Sequence, residues 1–298
     1  MTALYGTTGA IGLGLVLGSF ARWLMLRVDY RNYPSYPHGY VTHLALGVVA
    51  AFLGAVAVPA LLEREFTAVT FLALATQQFR EVRSLVRDSL HELEEGELVR
   101  RGQDYIEGIA RVYEARNYLT MVVSVAASGA WLLHPVAGVA AGSAALVLSL
   151  AFMRGRQVGQ IAVVRPGALR FQGPSLFVED VYLMNVGLAR ARARIKEWGL
   201  GVVLDPKDDN ARDTLASPGQ RQAILHDAVA ALGVRKDVGV EEFTPLARRS
   251  ERTGRVALVL VPMEPDIRAL VGAVKRTPVL EASRGTALRT RAGRLAAD

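Results

Sequence analysis

Five stretches almost without charge constrain this chain more than any other feature: residues 5–26, 40–62, 66–79, 118–133 and 136–153. A helix rising about 1.5 Å per residue needs about 20 apolar residues to cross a hydrocarbon layer roughly 30 Å thick. Within that layer only a helix or a closed barrel satisfies every backbone N–H and C=O. The stretches therefore predict a polytopic bundle of membrane helices. Residues 66–79 are the short case, because 14 residues reach only about 21 Å.

The remainder of the chain is built for water. Of 298 residues, 51% are hydrophobic, and the mean hydropathy is +0.23. Residues 1–153 hold 11 basic and 12 acidic side chains, whereas residues 154–298 hold 24 and 16, so the whole surplus of +7 lies in the second half. A basic domain beside a lipid bilayer is suited to anionic headgroups. Nucleic acid is disfavoured, since no basic run is interleaved with aromatics and no zinc-finger or RNP-like spacing occurs. The chain has no cysteine, which excludes disulfides, thiolate chemistry and Cys-ligated metals. The first apolar run lacks a basic leader and a small-x-small cleavage site, so it reads as a retained span.

Basic flanks orient the spans. Arg22, Arg27 and Arg31 end the first; Arg100, Arg101, Arg111 and Arg116 precede the fourth; Arg154 and Arg156 follow the fifth. Such flanks stay inside. All three lie inside only if 66–79 crosses, which gives five spans with the N-terminus outside. Gly14 and Gly18 form a G-x-x-x-G pair that lets a neighbouring helix approach, within one chain or in a homo-oligomer. The loop carrying Asp29, Tyr30, Arg31, Tyr33, Pro34, Tyr36, Pro37 and His38 is aromatic, stiff and charged, suited to a membrane interface or to docking. Residues 80–116 place Val82, Leu85, Val86, Leu90 and Leu93 on one helical face, and Glu92, Glu94, Glu95 and Glu97 on a solvated one.

The expected fold is thus an α-helical polytopic membrane domain, residues 1–156, followed by a soluble cytoplasmic α/β domain, residues 157–284, and a basic disordered tail, residues 285–298. In the second domain 161–164, 169–171, 201–204, 256–261 and 278–280 read as strands, and 181–198 and 265–274 as helices. Ser217-Pro218 starts a further helix and Gly233 stops it. Candidate chemistry is sparse. Asp205, Asp208 and Asp209 follow a buried strand and have the residue types for acid–base work or a divalent cation, although Asp-Pro and Asp-Asn are also ordinary turn chemistry. His226 sits beside Asp227 on a helix. No P-loop, dinucleotide-binding glycine motif, nucleophile elbow or zinc-protease motif is present, and no cofactor or metal is implied. Two functions from different classes fit: a non-enzymatic membrane scaffold or regulator, and a membrane-associated, protease-like hydrolase using Asp205 with Asp208 or His226.

The string Tyr105-Ile106-Glu107-Gly108-Ile109-Ala110 spells the motif that names the YIEGIA family of bacterial membrane proteins. Its Tyr105, Ile109 and Val112 suggest one apolar stripe, Glu107 and Arg111 a favourable i, i+4 pair, and Gly108 a joint or close contact. The Arg27–Gly39 loop, Val203-Leu204-Asp205-Pro206, the string from Gly219 to Leu225, and the string from Thr277 to Glu281 resemble the same family, as do the length and the membrane-then-soluble layout. The resemblance implies a protein of spore-forming bacteria acting in spore envelope assembly at a forespore or mother-cell membrane, with another sporulation protein as partner. It supplies no catalytic residues.

Overall fold

A computed structural model of the chain describes residues 6–29, 37–153, 155–237, 240–241 and 243–284. The interfacial loop positions Tyr30, Arg31, Tyr33, Pro34 and Tyr36, and the tail 285–298, lie outside the described residues. The chain forms two compact units: Met1–Leu90 with Ile109–Arg154, and His91–Gly108 with Gly155–Asp298.

The first unit is helical. Helix α1 spans Thr7–Asp29, α2 Pro37–Leu62, α3 Phe66–Leu93, α4 Gln103–Trp131 and α5 Pro135–Phe152. Asp29 thus closes α1, and Pro37 and His38 open α2. Among the described residues three helices are long and apolar enough to cross a membrane: Thr7–Arg27, Gly39–Leu62 and Pro135–Phe152. The apolar stretches 66–79 and 118–133 belong instead to α3 and α4, each of which joins an apolar half to a charged half. The unit exposes large apolar side chains and buries several polar ones. Phe20, Phe52, Leu148 and Phe152 are exposed, while Arg22, Asn117, Thr120, Ser124 and Ser128 are buried. An apolar exterior with small and polar contacts inside is what lipid selects.

Glycines set the helix spacing there. A Cβ on Gly14 would fall 2.9 Å from Ala55 Cβ, and one on Gly18 would fall 2.7 Å from Ala51 Cβ and within 2.1 Å of Ser124 Oγ. The G-x-x-x-G face of α1 therefore lies against α2 and α4 of the same chain. Ser124 adds a hydrogen bond to Gly14 O at 2.7 Å. His134 caps α5, accepting from Val136 N at 3.2 Å, with Pro135 in the first turn.

Residues 80–116 do not form one amphipathic helix. Helix α3 ends at Leu93, a 3-10 turn covers Glu94–Gly96, and α4 starts only at Gln103. Val82, Val86 and Leu90 are buried, but Leu85 is 66% exposed, so the inward stripe is narrower than the sequence suggests.

The second unit stacks three layers. After helix α6 (Val158–Ile161) come strands β1 (Ala162–Pro166), β2 (Leu169–Gln172), β3 (Ser175–Val178) and β4 (Val181–Asn185), then helix α7 (Ala189–Trp198) and strand β5 (Leu200–Pro206). Helices α8 (Asp209–Ala216) and α9 (Pro218–Leu232) follow, then β6 (Lys236–Asp237), β7 (Val240–Glu241), β8 (Leu246–Arg249), β9 (Val256–Leu260) and α10 (Ile267–Arg276). The central sheet has the order β1-β5-β9-β8 and is antiparallel throughout. One face packs on α9 and α10 through Leu204, Ile224, Leu258 and Leu270. The other packs on α7 and the sheet β2-β3-β4 through Val203, Val259, Leu183 and Ile195.

Sequence periodicity misjudges two places in this unit. Residues 181–198 are not one helix: Val181 and Leu183 are buried around an exposed Tyr182, a period-two strand pattern. Helix begins only at Ala189, after Gly187. Residues 278–280 form no strand; Pro278 makes a single isolated bridge to Gln157.

Candidate functional site

A network of buried polar contacts surrounds α9 in the second unit, and the first four residues of the YIEGIA string belong to that unit. Ser217 caps the helix, accepting from Gln220 N, and Pro218 starts it. The segment 94–105 then runs against the helix surface. Gly102 makes its turn at φ +87, a left-handed conformation that glycine adopts without penalty. Glu94 is buried and accepts the backbone N–H of Arg101, whose guanidinium lies 3.9 Å away. Glu94 is therefore not part of a solvated acidic face; it closes the loop that carries the motif.

Tyr105 donates its hydroxyl to Asp227 Oδ1 at 3.2 Å and sets its ring edge-on to His226, with centroids 6.2 Å apart at 84°. His226 Nδ1 lies 2.7 Å from Val99 O and donates to it, which fixes the tautomer. Adjacent residues of one helix thus hold adjacent turns of the incoming segment. Burial pushes the Asp227 carboxyl above its ordinary range, against hydrogen bonds from Thr277 and Tyr105. Burial, with the Asp227 carboxylate, likewise pushes the Tyr105 phenol up.

The string from Gly219 to Leu225 now has a role at most of its positions. A Cβ on Gly219 would meet Asp104 Oδ2 at 2.1 Å. Gln220, fully buried, donates to Pro278 O at 3.0 Å and accepts from Leu280 N at 2.8 Å. Arg221 donates to Leu215 O at 3.2 Å, and Gln222 to Arg100 O at 2.6 Å. Ala223, Ile224 and Leu225 are buried. Helix α9 is thus a hub that receives 99–105 and 277–281, two strings far apart in sequence.

Along the first three turns of α4 the buried residues are Tyr105, Ile106, Ile109, Ala110 and Tyr113, whereas Val112 is 39% exposed. The stripe follows i, i+1, i+4, i+5 rather than Tyr105–Ile109–Val112. Glu107 is half-buried. A Cβ on Gly108 would meet nothing within 4 Å, so no close contact requires that glycine. It sits where the two compact units divide, between Gly108 and Ile109.

The other candidate groups lie apart from this hub, each with its own partners. Asp205, on β5, accepts from Arg165 Nε at 2.9 Å and pairs with Arg255. Arg165 also grips Glu179 and holds its carboxyl below the usual range, and Arg255 donates to Asp180 at 3.2 Å. Asp208 caps α8, accepting from Ala211 N at 2.7 Å, and Asp209 is exposed in the first turn of that helix. Strand β5 is antiparallel to both its neighbours, so it offers no crevice of the kind found at the carboxyl ends of parallel strands. Among the described residues no group of three His, Asp or Glu could hold a metal ion. Sequence reasoning missed Glu94, Gln220, Gln222 and Asp227: Gln220 and Gln222 bond to backbone groups far along the chain, and Asp227 to a side chain 122 residues away.

A family model described as "YIEGIA protein" matches residues 10–290. The chain belongs to the YIEGIA family. Among its relatives is a Bacillus subtilis (strain 168) protein described as "Uncharacterized protein YphB", 42% identical over 269 residues, which are 90% of this chain and 91% of the relative. No solved structure is similar. The family's defining string is therefore, in this member, a helix whose first turn is bonded to α9.

Proposed function

We propose that this YIEGIA-family chain is a five-span membrane protein, with its N-terminus outside and its second unit in the cytoplasm, that acts as a scaffold or regulator of spore envelope assembly by binding another sporulation protein. One observation carries the choice of scaffold over hydrolase. The groups a hydrolase would use are each committed to a structural bond: Asp205 between two arginines, Asp208 at a helix cap, His226 on Val99 O. A catalytic acid or base must instead reach a substrate proton.

Three apolar helices among the described residues, and the large apolar side chains they expose, support the membrane part. The family resemblance and a relative in a spore-former support the sporulation part. The forespore or mother-cell membrane is the corresponding location.

Asp208→Asn tests the form of the hydrolase that pairs Asp205 with Asp208. Asparagine caps a helix as well as aspartate does but supplies no acid. In a spore-former that depends on this chain, the variant should give normal spore numbers. Lost spores at normal protein level would favour the hydrolase.

A further inference from the structure

Helix α7 carries four cations in a pattern that a water-exposed helix does not need. Successive residues turn by about 100°. Ile195 is buried and Ala191 and Trp198 are half-buried, which fixes the inward face. The outermost strip is then Ala189, Ala193 and, one turn further at its C-terminal end, Glu197, all exposed. Arg190 and Arg194 line one side of that strip, and Arg192 and Lys196 line the other. Leu188, just before the helix, is 61% exposed. Glu197 is the only acid between 187 and 198.

The cations are placed rather than loose. Arg192 donates to Val186 O at 2.9 Å and Gly187 O at 2.7 Å, and Lys196 lies 5.7 Å over the Phe171 ring. Solubility alone favours mixed signs on such a face. Basic residues in a first turn also oppose the helix dipole. A flat anionic surface relieves both costs, and two alanines let it come close.

We propose that this face of α7 docks on anionic phospholipid headgroups of the chain's own membrane. The inference rests on the membrane reading above. Helix α5 ends at Phe152 and α6 starts at Val158. The residues between reach about 20 Å at most. So short a tether keeps the headgroup layer at high effective concentration, and a weak contact suffices. A single-stranded nucleic acid would need open rings for stacking. The rings beside α7 are covered instead, Phe171 by Lys196 and Trp198 by Arg235 at 4.0 Å.

The absence of native cysteine makes the test direct. The full chain, carrying Leu188→Cys or Ala193→Cys with a polarity-sensitive fluorophore, is placed in nanodiscs of phosphatidylcholine, or of phosphatidylcholine with phosphatidylglycerol. Asn210→Cys, exposed on α8, is the control. Both α7 labels should shift to the blue, and be quenched by brominated lipid, only in the anionic discs. The control should not respond. Raised salt should reverse the effect, and each cation replaced by Gln should weaken docking roughly fivefold. Arg190→Gln/Arg194→Gln should therefore lose about 25-fold.

Labels blind to phosphatidylglycerol in a chain that enters the discs would overturn this inference alone. So would a response to a single-stranded oligonucleotide without one to lipid. A chain that stays soluble without detergent would overturn the membrane reading as well.

Discussion

At the scale of single residues, the bond between Tyr105 and Asp227 is the one to test. Tyr105→Phe leaves a buried carboxylate one donor short, which costs roughly 1–3 kcal/mol. Denaturant or thermal midpoints of the detergent-solubilised chain would measure it, and a cycle with Asp227→Asn would isolate the pair. Asp227 also makes stability depend on pH in a defined direction. Burial raises its folded-state pKa above the unfolded value. Between the unfolded and folded values the folded state therefore binds more protons than the unfolded state. The stability tied to that proton is complete below the unfolded pKa and is lost as pH rises through the folded one. Wild type should lose stability relative to Asp227→Asn as pH climbs out of the carboxylate range; an unchanged difference across pH would count against it.

At the scale of elements, two glycine substitutions should behave oppositely. Gly54→Ala places a Cβ 2.6 Å from Met121 O and 3.0 Å from Met121 Cα. Backbone cannot step aside cheaply, so α2 and α4 must part, at about 1–3 kcal/mol or more. Gly108→Ala meets open space in the second turn of α4 and should stabilise that helix by up to about 1 kcal/mol. Parallel thermal melts would show the contrast. The glycine pair of α1 was legible in sequence as a packing face; that α2 and α4 fill it was not, because spacing on one helix says nothing about its neighbour.

At the scale of the whole molecule, the orientation hinges on residues 66–79. Reporter fusions after Glu65 and after Arg116 should read outside and inside respectively. A fusion at Arg116 that reads outside would leave four crossings and place a basic flank on the wrong side. The structure adds a reason to look there. The apolar part of α3 continues unbroken into its charged part, so any crossing helix would emerge from the membrane without a turn. Most of the second unit was legible only as a class. Runs such as Val256–Leu260 announce a buried strand in any context, whereas β3 and the strand half of 181–198 are short and pattern weakly.

By itself, the sequence determined the two regimes, the apolar helices, the family and the helix from Pro218 to Leu232, since each rests on local composition, capping or a contiguous string. Only the tertiary structure decided which polar residues are partners. Glu94 with Arg101, Tyr105 with Asp227, His226 with Val99 O and Gln220 with Leu280 are chosen by burial, because a polar group taken from water must find whichever donor or acceptor the fold brings near. The same necessity sets Asp205 beside Arg165 and Asp208 at a helix cap.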